Sequence, residues 1–173
     1  MEALTELLKL IIPAAAILYG MYLVMQGFLN RDLQSRQLDI RGKSIETVLP
    51  IRLQAYERIC LLLERLSPQN LLLRVNHAGL SAKDYQRFLL DEIRNEFNHN
   101  VSQQVYMSDA IWTLVKNSKE DLVVLINEAA ASLQPEATGL ELAKKIFELT
   151  MEKQVDLMGH ALSELKKEIQ QVF

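Results

Sequence analysis

The dominant feature of the polarity pattern is one unbroken apolar run, residues 10–30, LIIPAAAILYGMYLVMQGFLN, with no Asp, Glu, Lys, Arg or His between Lys9 and Arg31. At about 1.5 Å per helical residue, about twenty such residues cross the roughly 30 Å hydrocarbon core of a bilayer. The run is therefore expected to be a single transmembrane helix. A cleaved signal peptide fits poorly, because the start MEALTELLK carries Glu2 and Glu6 against Lys9, and the small cluster Ala14, Ala15, Ala16 lies inside the run instead of after it. A buried helix of a soluble domain seldom stays apolar on every face for this length. Gln26, the one strongly polar side chain, sits near the far end, within reach of the interface.

Beyond the run the pattern changes to helical periodicity. Residues 31–43 space Leu33, Leu38 and Ile40 among charges and are expected to continue the spanning helix as far as Gly42. Pro50 suits a helix start, and Ile51, Ala55, Tyr56, Ile59, Leu62, Leu63 and Leu66 then recur at three- and four-residue steps, a core-facing stripe. Ser67-Pro68 ends that helix and caps a short one through Leu71, Leu72, Leu73 and Val75. Asn76-His77-Ala78-Gly79 is a turn, where His77 is a surface or capping residue. Ser81 to Asp84 resembles a capping box ahead of a stripe of Tyr85, Phe88, Leu89, Ile93 and Phe97. A further stretch, 101–116, carries Val105, Tyr106, Trp112 and Val115 and is either continuous with the preceding helix or separate from it. Asn117 to Asp121 reads as a break before a helix through Leu122, Leu125, Ile126 and Ala129 to Leu133. Thr138 caps a last helix, about 139–172, with Leu142, Ile146, Leu149, Leu157, Leu162, Leu165 and Ile169 on its apolar side. Its steps are only loosely heptad and Gly159 interrupts them, which favours a bundle helix over a coiled coil. Pairs such as Glu141 with Lys145, and Glu164 with Lys167 or Glu168, read as solvent-face chemistry.

The fold class expected is all-α: a tail at 1–9, a transmembrane helix at 10–30, a basic juxtamembrane segment at 31–43 and a helical domain at 44–173. Six glycines and four prolines in 173 residues agree with helices over strands. The flanks set an orientation. Arg31, Arg36, Arg41 and Lys43 come after the run while Lys9 and the terminal amine precede it, and cations stay preferentially in the cytoplasm. The tail is thus expected outside and the domain inside, anchored in the cell inner membrane. The arginines could also hold anionic lipid, though topology marking alone explains them. Pro13 is expected to kink or start the span near its outer end. Within the span, Ala16, Gly20 and Gly27 fall on one face, a seam along which two such helices could pair.

The balance of 19 basic against 22 acidic residues gives no basic surface of the kind nucleic-acid binding needs. The single Cys60 can form no intramolecular disulfide and reads as a small buried residue. Catalytic candidates are few. Glu96 and His99, three residues apart on a helix, match half of a carboxylate-bridged di-iron site. The second half is missing, since Leu157 stands three before His160 and Arg74 three before His77, and cysteines for zinc are lacking. No metal or other cofactor is expected on these grounds. Glu92 and Glu96, one turn apart, could act as acid and base, although neighbouring helical glutamates are usually solvated. No nucleophile elbow, phosphate-binding loop or dinucleotide fingerprint is present. Trp112 with Tyr106 and Met107 is a binding surface or, more commonly, a core anchor.

At YERICLLLERL and NEFNHNVSQQVYMSDAIW the sequence resembles an uncharacterised family of bacterial proteins built as an N-terminal span followed by a cytoplasmic helical domain. The resemblance covers most of the chain and implies that architecture, with neither an activity nor assigned functional residues. The function expected is a membrane-anchored interaction or scaffold module without catalysis of its own, partnered by the bilayer and by another copy or another protein. Two alternatives stand beside it: a tethered enzyme using Glu92, Glu96 and His99, and an accessory subunit of a larger membrane complex.

Overall fold

The computed structural model describes the backbone of residues 2–76, 78–153 and 156–171, and the side chains of those residues apart from 2–14, 30 and 33–45. All regular elements among them are helical: α1 (Glu2–Leu66), α2 (Pro68–Arg74), α3 (Ala82–Asn100), a 3-10 segment (Val101–Tyr106), α4 (Asp109–Ala131), α5 (Gly139–Glu152) and α6 (Gly159–Gln170). The chain divides into two compact units, Met1–Leu49 and Pro50–Phe173.

Three sequence expectations about breaks are corrected. Pro13, Gly42 and Pro50 neither start nor stop a helix but lie inside α1. A proline forfeits one intrahelical hydrogen bond and a glycine costs about 1 kcal/mol, penalties a long helix absorbs when its neighbours favour helix. The polar run 117–121 does not interrupt α4, because the core-facing stripe passes through it. Ile111, Val115, Ser118 and Leu122 are all buried at three- and four-residue steps, with Ser118 in the apolar positions' register. The last helix, by contrast, is two. The backbone N–H of Gly159 donates to the Asp156 carboxylate at 2.7 Å, so a new helix starts where a continuous one was expected. The break lets α5 and α6 each pack against α4.

The caps define the bundle's corners. Ser81 Oγ accepts from Asp84 N at 3.1 Å, and Thr138 forms a full capping box with Glu141. The two capping residues face each other in an isolated antiparallel bridge, with Ala82 N donating to Ala137 O at 2.8 Å and Gly139 N to Leu80 O at 2.9 Å. The starts of α3 and α5 are thereby tied together. Ser67 does not cap α2 through its side chain, as the sequence suggested. Its hydroxyl instead donates to Glu64 O at 2.8 Å, where Asn70 Nδ2 also donates and the Ser67 backbone N–H adds a bond at 3.2 Å, so that one carbonyl gathers the end of α1 and the start of α2. In the turn between α2 and α3, Gly79 takes a left-handed φ of +73° and Asn76 Oδ1 accepts from Ala78 N. His77 lies outside the described residues.

One core joins the second unit. Tyr56, Ile59, Leu62, Leu63 and Leu66 of α1 meet Tyr85, Leu89 and Ile93 of α3, the stripe of α4, Leu142 and Ile146 of α5 and Leu165 of α6. Ile51 and Phe88, expected on core-facing stripes, are exposed, and so is Val105 in the 3-10 segment. Trp112 and Met107 are core anchors; Phe97 stacks on Trp112 with ring centroids 5.4 Å apart, and the Lys119 ammonium lies 4.9 Å from the Phe97 ring centroid. Tyr85, wholly buried, donates its hydroxyl to Val75 O at 3.2 Å and pins the end of α2, and burial raises its pKa.

Candidate functional site

The two glutamates singled out as acid and base are held by arginines. Glu92 on α3 pairs with Arg74 at the end of α2, and Glu96, one turn on, pairs with Arg65 of α1 at 2.9 Å and with Arg74 at 3.9 Å. Guanidinium groups are planar and fork-shaped, so two of them between two carboxylates hold the four side chains in a fixed geometry. The cluster's chemistry is to cross-brace three helices. His99 is exposed in the last turn of α3, and neighbouring Asn100 turns its amide back to Glu96 O at 2.9 Å. Among the described residues no group of three or more His, Cys, Asp or Glu is placed to share a metal ion.

A second polar cluster was missed by sequence reasoning. Tyr56, almost fully buried, donates its hydroxyl to Glu168 Oε1 of α6 at 2.7 Å, and Arg52 Nη2 donates to the same hydroxyl at 3.1 Å. Arg52 Nε donates to Tyr106 O at 3.2 Å; Ser108 donates its backbone N–H to Glu168 Oε1 at 3.0 Å and its hydroxyl to Oε2. Glu168 therefore does not face solvent among surface pairs, as expected, but fastens α6 to α1 and to the start of α4. Burial works against its charge, yet the hydrogen bonds from Ser108 and Tyr56 outweigh burial and hold its carboxyl below the ordinary value. For Tyr56 burial and the Glu168 carboxylate both push the pKa upward. The one visible signal was Arg52 and Tyr56 one turn apart; the partners at 106, 108 and 168 come together only in the fold.

Two apolar surfaces remain. In the first unit, Ala15–Leu29 is helical and every described side chain is exposed, including Ile17 at 67%, Val24 at 74% and Phe28 at 71%. Ala16 is exposed there, and a Cβ built on Gly20 or Gly27 would meet nothing within 4 Å. Gln26 donates its amide to the Tyr22 hydroxyl one turn back at 2.8 Å, which partly satisfies the run's polar group. Arg31 is exposed, while Arg36, Arg41 and Lys43 lie outside the described side chains. Residues 10–14 and 30 of the apolar run also lie outside them, and among the described residues no helix is long and apolar enough to cross a membrane. In the second unit, a groove of ≈ 500 Å³ runs between α2 and α5, lined by Leu72, Leu73, Ala143 and Phe147 with Gln69, Lys144 and Glu148 at its rim.

These features define an all-α protein whose described polar clusters are bracing contacts and which exposes two apolar surfaces among its charged ones. The chain belongs to a family of unknown function, DUF7935, whose model matches residues 2–172. Neither a curated protein nor a solved structure matches it.

Proposed function

We propose that the protein is a single-pass membrane protein whose residues 10–30 anchor a helical bundle at the cytoplasmic face, where the bundle serves as an interaction or scaffold module. The observation that carries this reading is the helix through Ala15–Leu29, apolar and exposed all round. Burying a large apolar side chain is worth roughly 1.5–3 kcal/mol, and ten of them stand open here from Ile17 to Leu29. Water does not suit such a surface; hydrocarbon does. The sequence extends the run to residues 10–30, long enough for a bilayer, and Arg31, Arg36, Arg41 and Lys43 favour the cytoplasm for the bundle on their C-terminal side.

An interaction role is supported over catalysis by the state of the candidate carboxylates, since Glu92 and Glu96 are both engaged by Arg65 and Arg74. The full chain, expressed in a bacterium, is expected in the membrane pellet, resistant to alkaline carbonate and released by detergent. Recovery in the soluble fraction without detergent overturns the anchor.

A further inference from the structure

Most of the second unit's exposed apolar side chains are scattered, but Leu73 at 80% exposure and Phe147 at 51% line the α2–α5 groove, and Leu140 at 46% and Met151 at 65% share the helical face of Phe147, two turns and one turn away. Three of them lie along one face of α5, with Ala143, Lys144 and Glu148 between them. We propose that this face docks a second copy of the chain, α5 against α5 in antiparallel sense about a twofold axis passing between residues 145 and 146. The proposal deepens the interaction role above by naming its partner.

The order of side chains along the face selects the occupant. Reversal about that midpoint maps positions 140, 143, 144, 147, 148 and 151 onto one another, as an isologous interface requires. Leu140 then opposes Met151 of the second copy, and small Ala143 near the centre lets the two helices approach. Lys144 comes between Phe147 and Glu148 of the second copy, an aromatic face and a carboxylate that both attract an ammonium group. The charges also choose the direction. Lys144 lies on one side of the midpoint and Glu148 on the other, so antiparallel copies are complementary, whereas parallel copies would set lysine against lysine and glutamate against glutamate. Within its own chain Glu148 is reached by Lys145 at 3.4 Å and Lys144 lies near Glu141, but Glu148 and Lys144 both stand at exposed positions where a second copy can compete for them. Copies held in one membrane would meet at raised effective concentration, which lets a modest surface suffice.

The test uses the full chain in mild detergent, with mass measured by light scattering across a concentration series. The unaltered protein is expected to be a dimer, and Phe147→Glu a monomer, while Val124→Glu, at an exposed apolar position of α4, leaves the dimer intact. Lys144→Glu and Glu148→Lys should each weaken dimerisation roughly tenfold, and the two together should restore it to within about threefold of the original. Monomers at every concentration overturn the proposal. So does a dimer indifferent to Phe147→Glu, which would place assembly elsewhere, including residues 10–30; and so does a double charge exchange that fails to restore what the single exchanges remove. Membrane partition of the same samples separates the two ideas: a chain that needs no detergent yet shows the charge-exchange pattern loses the anchor and keeps this interface.

Discussion

Tyr56→Phe, Glu168→Ala and their combination test whether α6 is held by the buried polar cluster. Tyr56→Phe deletes one hydroxyl that donates to a carboxylate at 2.7 Å and accepts from Arg52 at 3.1 Å. Hydrogen bonds to charged groups contribute about 1.5–3 kcal/mol, so a loss of about 2 kcal/mol is expected. Glu168→Ala removes the acceptor for Tyr56 and for both Ser108 donors, with an expected loss of about 3 kcal/mol. Because the two residues share one bond, the double variant should lose less than the sum by about 1–2 kcal/mol. The readout is convenient: the single tryptophan, Trp112, sits in the core stacked on Phe97, and its fluorescence follows denaturation of the bundle in the full chain. The pH dependence has a definite sign. Glu168 has a folded-state pKa depressed from 4.5, so its contribution is fully present above that value and fades as pH falls below it. The stability gap between the unaltered protein and Glu168→Ala should therefore narrow in acid. Strict additivity, single losses under about 0.5 kcal/mol, or a stability gap that does not narrow in acid would each refute the account.

Two smaller perturbations address the corners of the bundle. Gly159→Ala would push aside the exposed Asp156 carboxylate that receives the Gly159 N–H, so it should cost no more than that one hydrogen bond, about 1 kcal/mol, and Asp156→Ala should cost as much alone while adding little to Gly159→Ala; helix content with thermal melting reads both. Thr138→Ala removes one half of the capping box at α5 and should cost about 1 kcal/mol in the tryptophan assay, while Thr138→Ser costs little.

How much of the fold was legible beforehand depends on the range over which the information acts. The stripe from Ala55 to Leu66, the N-caps at Ser81 and Thr138 and the all-α class come from local rules, and each is present. Ser118 shows where composition misleads: five polar residues in a row looked like a break, but periodicity, the stronger signal, continued through them. The α5–α6 break was marked only by Gly159 and Asp156, too weak against a stripe that resumes on the far side. Ile51 and Phe88 keep the helical phase of their stripes yet are exposed, because burial needs a neighbour as well as a phase. The polar clusters were the least legible. Arg65 and Arg74 find Glu92 and Glu96, and Tyr56 finds Glu168, across separations that only the packed helices close. The resemblance to an uncharacterised family matches the membership found, and it leaves the anchor, its orientation and the interface as proposals.

The central claim is that one helix crosses the membrane with the bundle inside, and cysteine labelling in intact cells tests it most directly. On a Cys60→Ser background, a cysteine at Ala3 should react with a membrane-impermeant maleimide from outside, whereas one at Ser163, exposed on α6, should react only after the cells are opened. Labelling of both positions, or of Ser163 alone, in intact cells would contradict the account.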